Sequence, residues 1–140
     1  MRFMQFSTLI ILVGSIASAE EKKPGITIDG TWKLVSHVLH GKARTIKSGE
    51  DRVTFEKGKV TIHIQPVETG SYKLKLGSKP YQIDLTLTRG DARRMLGIFE
   101  LKDGALKICL SKPGSRKRPP RMESTETSET ALLTFERVKN

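Results

Sequence analysis

From Gly30 onward, apolar and polar residues alternate with a period of two, the spacing of a strand with one buried face. In TWKLVSHVL this places Trp32, Leu34, Ser36 and Val38 on one face and Lys33, Val35 and His37 on the other. RVTFEKGKVTIHI reads as a hairpin turning at Lys57-Gly58, with Val53, Phe55, Val60, Ile62 and Ile64 inward. SYKLKL sets Tyr72, Leu74 and Leu76 against Lys73 and Lys75, and YQIDLTL sets Tyr81, Ile83, Leu85 and Leu87 against Gln82, Asp84 and Thr86. MLGIFELKDGALKICL is a second hairpin about Asp103-Gly104, and ALLTFERV is the last strand. Short strands at close spacing, with no amphipathic helix between them, predict an all-β fold. The expected architecture is a small antiparallel up-and-down β-barrel of about eight strands, without a C-terminal helix; closure is favoured over a sandwich because it leaves no free edge.

The first 19 residues differ in kind. Arg2, the apolar run TLIILVGSIA and the small-residue tripeptide Ala17-Ser18-Ala19 fit a signal peptide cleaved after Ala19. The apolar run is shorter than the roughly 20 residues a spanning helix needs, so the processed chain is not membrane-spanning. It is expected to be secreted or periplasmic, within the cell envelope. Residues 20–29, EEKKPGITID, read as a flexible lead-in, and residues 30–140 as one barrel domain. The lone cysteine, Cys109, has no partner for an internal disulfide and lies in LKICL, where a thiol acts as a small hydrophobe.

Charge narrows the partners. The whole chain carries 25 Lys and Arg against 15 Asp and Glu, a formal +10, which favours an anionic partner. Export disfavours nucleic acid. Catalytic and cofactor motifs are missing from the sequence: there is no phosphate-cradling Gly-rich loop followed by Lys-Ser/Thr, no Gly-x-Ser-x-Gly, no metal-spaced Cys pair and no His-Glu-x-x-His. His37 and His40 are three apart, which on a strand sends their rings to opposite faces, and His63 lies on a polar face; each reads as a solvated imidazole. No catalytic residue, metal ligand or cofactor is therefore assigned.

The segment Gly30-Thr31-Trp32-Lys33-Leu34-Val35, with Arg137 in the last strand, resembles the lipocalin-like (calycin-type) pattern. In that pattern a Gly-x-Trp on the first strand packs at the closed end of a barrel beneath a final-strand Arg. IDGTWKLVS, Gly41-Lys42, PYQIDLTLT, MLGIFELKDGALKICLSKPG and LLTFERVK, in this order, resemble more closely an uncharacterised family of lipocalin-like domains abundant in planctomycete bacteria. The resemblance implies the fold, an export habit and a structural role for Gly30, Trp32 and Arg137, and it carries no activity. The chain departs from the family in its last loop, where ETSE, Glu126 to Glu129, replaces a Gly-rich segment.

In an up-and-down barrel, successive connections alternate between the two ends. With Trp32 at the closed end, residues 40–51, 65–70, 88–94 and 111–130 form the open end. Their basic residues make the candidate ligand site: Arg44, Lys47, Arg93, Arg94, Arg116, Arg118 and Arg121, ringing a mouth that would accept a small amphipathic anion. The alternative is a filled barrel acting as an envelope interaction scaffold, its basic loops touching acidic glycan or protein. KPGSRKRPPRMESTETSET, Lys112 to Thr130, is expected to be a mobile lid or rim at that mouth, interrupted by Pro119-Pro120.

Overall fold

A computed structural model describes residues 26–46, 51–64, 66–89 and 93–139. Nine strands follow one another among these residues, and none of them is helical. They are β1 (Gly30–Leu39), β2 (Lys42–Ala43), β3 (Arg52–Glu56), β4 (Lys59–Ile62), β5 (Glu68–Lys75), β6 (Tyr81–Leu87), β7 (Arg93–Lys102), β8 (Ala105–Ser111) and β9 (Thr130–Arg137). Each strand from β3 to β8 pairs antiparallel with the next, β3 and β9 both pair with β1, and β2 is a short hairpin return on the end of β1. The sheet thus closes as an eight-stranded up-and-down barrel. The Trp32↔Arg137 to Leu39↔Ala131 ladder is the seam.

Tight turns form where the chain tolerates positive φ. Lys57-Gly58 and Asp103-Gly104 have φ of 45° and 83°, and of 52° and 77°. Two successive positive values suit the right-handed twist of a two-residue hairpin.

The inner face holds a core of Ile28, Trp32, Leu34, Val53, Phe55, Val60, Tyr72, Ile83, Leu85, Phe99, Leu106, Ile108, Leu110 and Phe135. Large side chains fill the lower barrel, with Phe55 and Tyr72 edge to face at 5.1 Å and Tyr81 and Phe99 at 5.5 Å between ring centroids. Close filling also dictates Gly97. A Cβ there would come within 2.7 Å of Leu110 Cδ2 and 2.8 Å of the Cys109 carbonyl.

Three expectations are corrected. The stretch read as a flexible lead-in ends in packed residues, since Ile28 is fully buried. Ile64 and Leu76, both read as inward, fall just beyond β4 and β5 and are exposed. The alternation in β1 breaks at Val35, where the register against β9 slips from Leu34↔Phe135 to Ser36↔Thr134. This bulge places two residues against one and reverses the faces beyond it. His37, opposite the inward Leu133, now has the inner face, while Ser36 and Val38 turn outward.

Candidate functional site

The 112–129 connection leaves the open end but does not cap it. It doubles back along the outer wall as a strap. Gly114 N–H donates to the Arg94 carbonyl at 2.9 Å, and the Ser111 hydroxyl donates to the Lys117 carbonyl. Arg118 Nη1 then donates to the Gly97 carbonyl at 2.7 Å and the Ile83 carbonyl at 3.2 Å, two paired residues in the middle of the wall. On the return, Glu123 O accepts from Thr130 Oγ1 at 2.9 Å and from Cys109 Sγ at 3.4 Å. Ser124 donates to the Thr130 carbonyl at 2.7 Å and accepts from Gly41 N–H at 3.2 Å. Under the strap lies a strip of outward apolar groups. Ile98 and Cys109 are buried, and Val38 and Leu132 share the Cys109 face of the ladder and are partly covered. Burial pushes the Cys109 thiol up, despite the two hydrogen-bonding neighbours that oppose it.

Asp84 bolts the strap. It sits on the outward face of β6, yet its side chain is only 9% exposed. Arg118 Nη2 lies 2.7 Å from Oδ1, near enough for an ion pair though not aligned as a hydrogen bond, and Arg94 Nη2 donates to Oδ2 at 3.1 Å. Lys75 Nζ stands 3.9 Å from Oδ2. Burial alone would push the carboxyl up; the close guanidinium contact of Arg118, the hydrogen bond from Arg94 and the charges of Arg118 and Lys75 outweigh it and hold it below the usual carboxylate range. At the strap's outer edge Lys112 pairs with Glu129 at 2.9 Å, both well exposed.

The opening itself is built from other residues. Ile62, Leu87, Met95 and Leu133 have inner-face register and are partly exposed at or near the upper ends of their strands, with Ile46 packed against the same core. His37 joins them through the bulge. Burial and the Arg44 charge lower its pKa, and Asp51 partly offsets them. Arg44 is tied to this residue through its backbone N–H, which donates to the His37 carbonyl at 2.7 Å. A cleft of about 460 Å³ beside it is lined by Leu39, His40, Lys42, Ala43, Arg44 and Glu126. Arg93, opposite Leu87, takes the inner-face register at the rim and is exposed.

The structure therefore divides the basic residues expected around the mouth. Arg44 and Arg93 border the opening. Arg94 and Arg118 are drawn to Asp84 on the outer wall, and Arg116 and Arg121 lie on the strap. Lys47 lies outside the described residues. The strap is a hydrogen-bonded element on the wall and not a lid or rim, because Arg118 finds a buried carboxylate and two free carbonyl lone pairs there. Gly30, Trp32 and Arg137 meet at the closed end, where the Arg137 guanidinium carbon lies 4.3 Å from the Trp32 ring centre. A Cβ on Gly30, whose φ is 132°, would fall 2.7 Å from Arg137 Nη1.

Sequence reading missed His37 and Asp84. A signal existed for Asp84: MLGIFEL and ICL are apolar on both faces, as strands covered on both sides are, so something had to cover the outer wall. None existed for the bulge. Comparison with protein-family models, with curated proteins and with solved structures found no match.

Proposed function

We propose that this chain is an exported, lipocalin-like binding module that takes a small amphipathic anion across the mouth of its barrel. One observation carries the reading: the Val35 bulge turns His37 to the inner face beside Arg44, over a partly exposed apolar ring of Ile62, Leu87, Met95 and Leu133. Arg44 and Arg93 flank the opening and would meet the charged group, and the apolar ring would meet the chain. The filled lower barrel supports a ligand lying across the opening and not a deep one. The same filling favours a second reading, in which the barrel is a scaffold for contacts made by its outer surface. Membership of the lipocalin-like family seen in planctomycetes and cleavage after Ala19 belong to the first reading.

Native mass spectrometry of protein recovered from its own envelope fraction tests ligand and export together. The expected mass is that of a chain beginning at Glu20 plus a small ligand; a chain that keeps residues 1–19, or one that carries nothing, counts against it. With cis-parinaric acid as fluorescent probe, Arg44→Ala combined with Arg93→Ala should weaken binding about tenfold, the scale of losing one to two charge-assisted contacts. Unchanged binding removes the mouth as the site.

Acid should tighten this site for an anion that stays ionised. His37 is depressed below its ordinary value, so it is neutral at pH 7 and becomes cationic only as pH falls through that lowered value. Dodecyl sulfate affinity is expected to rise across that interval in the wild-type chain and to stay flat in His37→Gln. A parallel rise in both would assign the effect elsewhere.

A further inference from the structure

The outer wall beside the strap carries cations in excess of what holds the strap down. Lys73 and Lys75 project from β5, Arg94 from β7, and Arg116 and Lys117 from the strap, all exposed. Asp84, directly opposite Lys73 in the ladder, is the acid they surround. One carboxylate thus faces three cations within 4 Å, Arg118, Arg94 and Lys75.

Their donors are not equally spent. Arg118 is 18% exposed and uses its guanidinium on Asp84 and on two backbone carbonyls. The Lys75 and Arg94 side chains are 60% and 63% exposed, and Arg94 gives Asp84 a single hydrogen bond. Most of their donors face solvent. Close like charges repel, and an anionic group bridging Lys75 and Arg94 would relieve that repulsion. The Arg118 bolt fixes Arg116 and Lys117, two residues and one residue before it, against the same wall.

We propose that this wall, from Lys73 and Lys75 across Arg94 to Arg116 and Lys117, is a docking surface for a linear anionic polysaccharide. Lysines two residues apart on a strand stand about 7 Å from one another, so the row offers repeated point charges to a chain of sulfate or carboxylate groups. All aromatic side chains among the described residues lie in strands on the inner-face register, so the wall has no stacking platform for bases. The choice of a polysaccharide rests on the export reading, and the surface itself is independent of the mouth.

Binding of the full processed chain to heparin, a sulfated probe, and to polygalacturonate, a carboxylated one, tests the surface and separates the two ligand sources. Lys73→Glu with Lys75→Glu should weaken binding to at least one of them about tenfold and flatten its salt dependence, because two phosphate-like contacts and their counterions are lost. The same variant should keep cis-parinaric acid affinity within about twofold, the scale of a neutral surface change, and the Arg44→Ala, Arg93→Ala variant should keep polysaccharide affinity within the same margin. Both lysines are exposed and circular dichroism checks folding; because Lys75 also faces Asp84, Lys73→Glu alone, which leaves that contact in place, should weaken binding in the same direction. Equal losses from wall and mouth variants, or none from the wall variant, would overturn the proposal. Tighter binding to polyglutamate or duplex DNA than to either polysaccharide would overturn the partner class.

Discussion

Asp84→Ala is expected to detach the strap while the barrel persists. Arg118 is largely buried against Asp84, and removing one member of a buried pair leaves the other charge uncompensated, at a cost of about 3–5 kcal/mol. Arg118 has an escape, because it sits on a surface segment that can lift into water. The loss therefore shows first as local opening, with a fall in the urea midpoint at the lower end of that range. Lifting also strips Glu123 from Cys109 and uncovers Ile98. The reporter follows directly: Cys109 should react rapidly with a thiol reagent in native Asp84→Ala and slowly in the wild type. Adding Arg118→Ala to Asp84→Ala should cost less than the two losses summed, the mark of a shared interaction. A thiol that stays protected in Asp84→Ala would mean that the strap is held by its hydroxyl hydrogen bonds alone.

The pH dependence has a definite sign. Asp84 titrates lower in the folded chain than in the unfolded one, so the unfolded state binds the proton more readily as pH falls. The contribution of the pair is complete above the ordinary carboxylate range of about 4 and is lost as pH falls through the depressed folded value. Gly114 N–H, bound to the Arg94 carbonyl, should lose its protection against hydrogen exchange, measured relative to the intrinsic rate at each pH, only in that acid window.

The barrel was legible because its causes are local. Period-two alternation marks the inner faces, and Lys57-Gly58 and Asp103-Gly104 carry turn chemistry within two residues. The strap's path was not: the two-sided apolar strands MLGIFEL and ICL signal that something covers the outer wall, but which segment does so depends on Arg118 meeting Ile83 and Asp84, residues far away in the chain. His37 was misread for a related reason. A bulge is a property of two strands in register, and the reversal beyond Val35 follows from how β1 meets β9 and not from β1 alone. The strap's path decides the site as well: basic residues that connection order groups at one mouth divide between an opening, a bolt and an outer wall.

Trp32→Ala is expected to be the most damaging single change in the barrel, at about 3–5 kcal/mol by analogy with other buried aromatic truncations. Trp32 is 1% exposed, and three groups depend on its place. Its indole N–H donates to the Ile28 carbonyl at 2.8 Å, holding the fully buried Ile28 at the closed end. Arg137 lies over the ring and donates from Nη1 to the Asp29 carbonyl at 3.0 Å, joining the last strand to the same segment. Tyr72 donates to Asp29 Oδ1 at 2.6 Å, and burial with this hydrogen bond pushes its phenol up to about 12. Removing the indole therefore empties the barrel floor and frees the Ile28–Asp29 segment that plugs it. Trp32→Phe keeps most of the volume and loses the N–H, for about 1–2 kcal/mol, which separates hydrogen bond from packing. The Tyr72 contribution is present below about pH 10 and is lost as pH rises toward the folded value, so wild-type stability should decline over that interval and Tyr72→Phe should decline less. Urea unfolding of Trp32→Ala, Trp32→Phe and the wild type measures the order. If Trp32→Ala unfolds within about 1 kcal/mol of the wild type, the closed end is held by the β1–β9 seam and the indole is not its keystone.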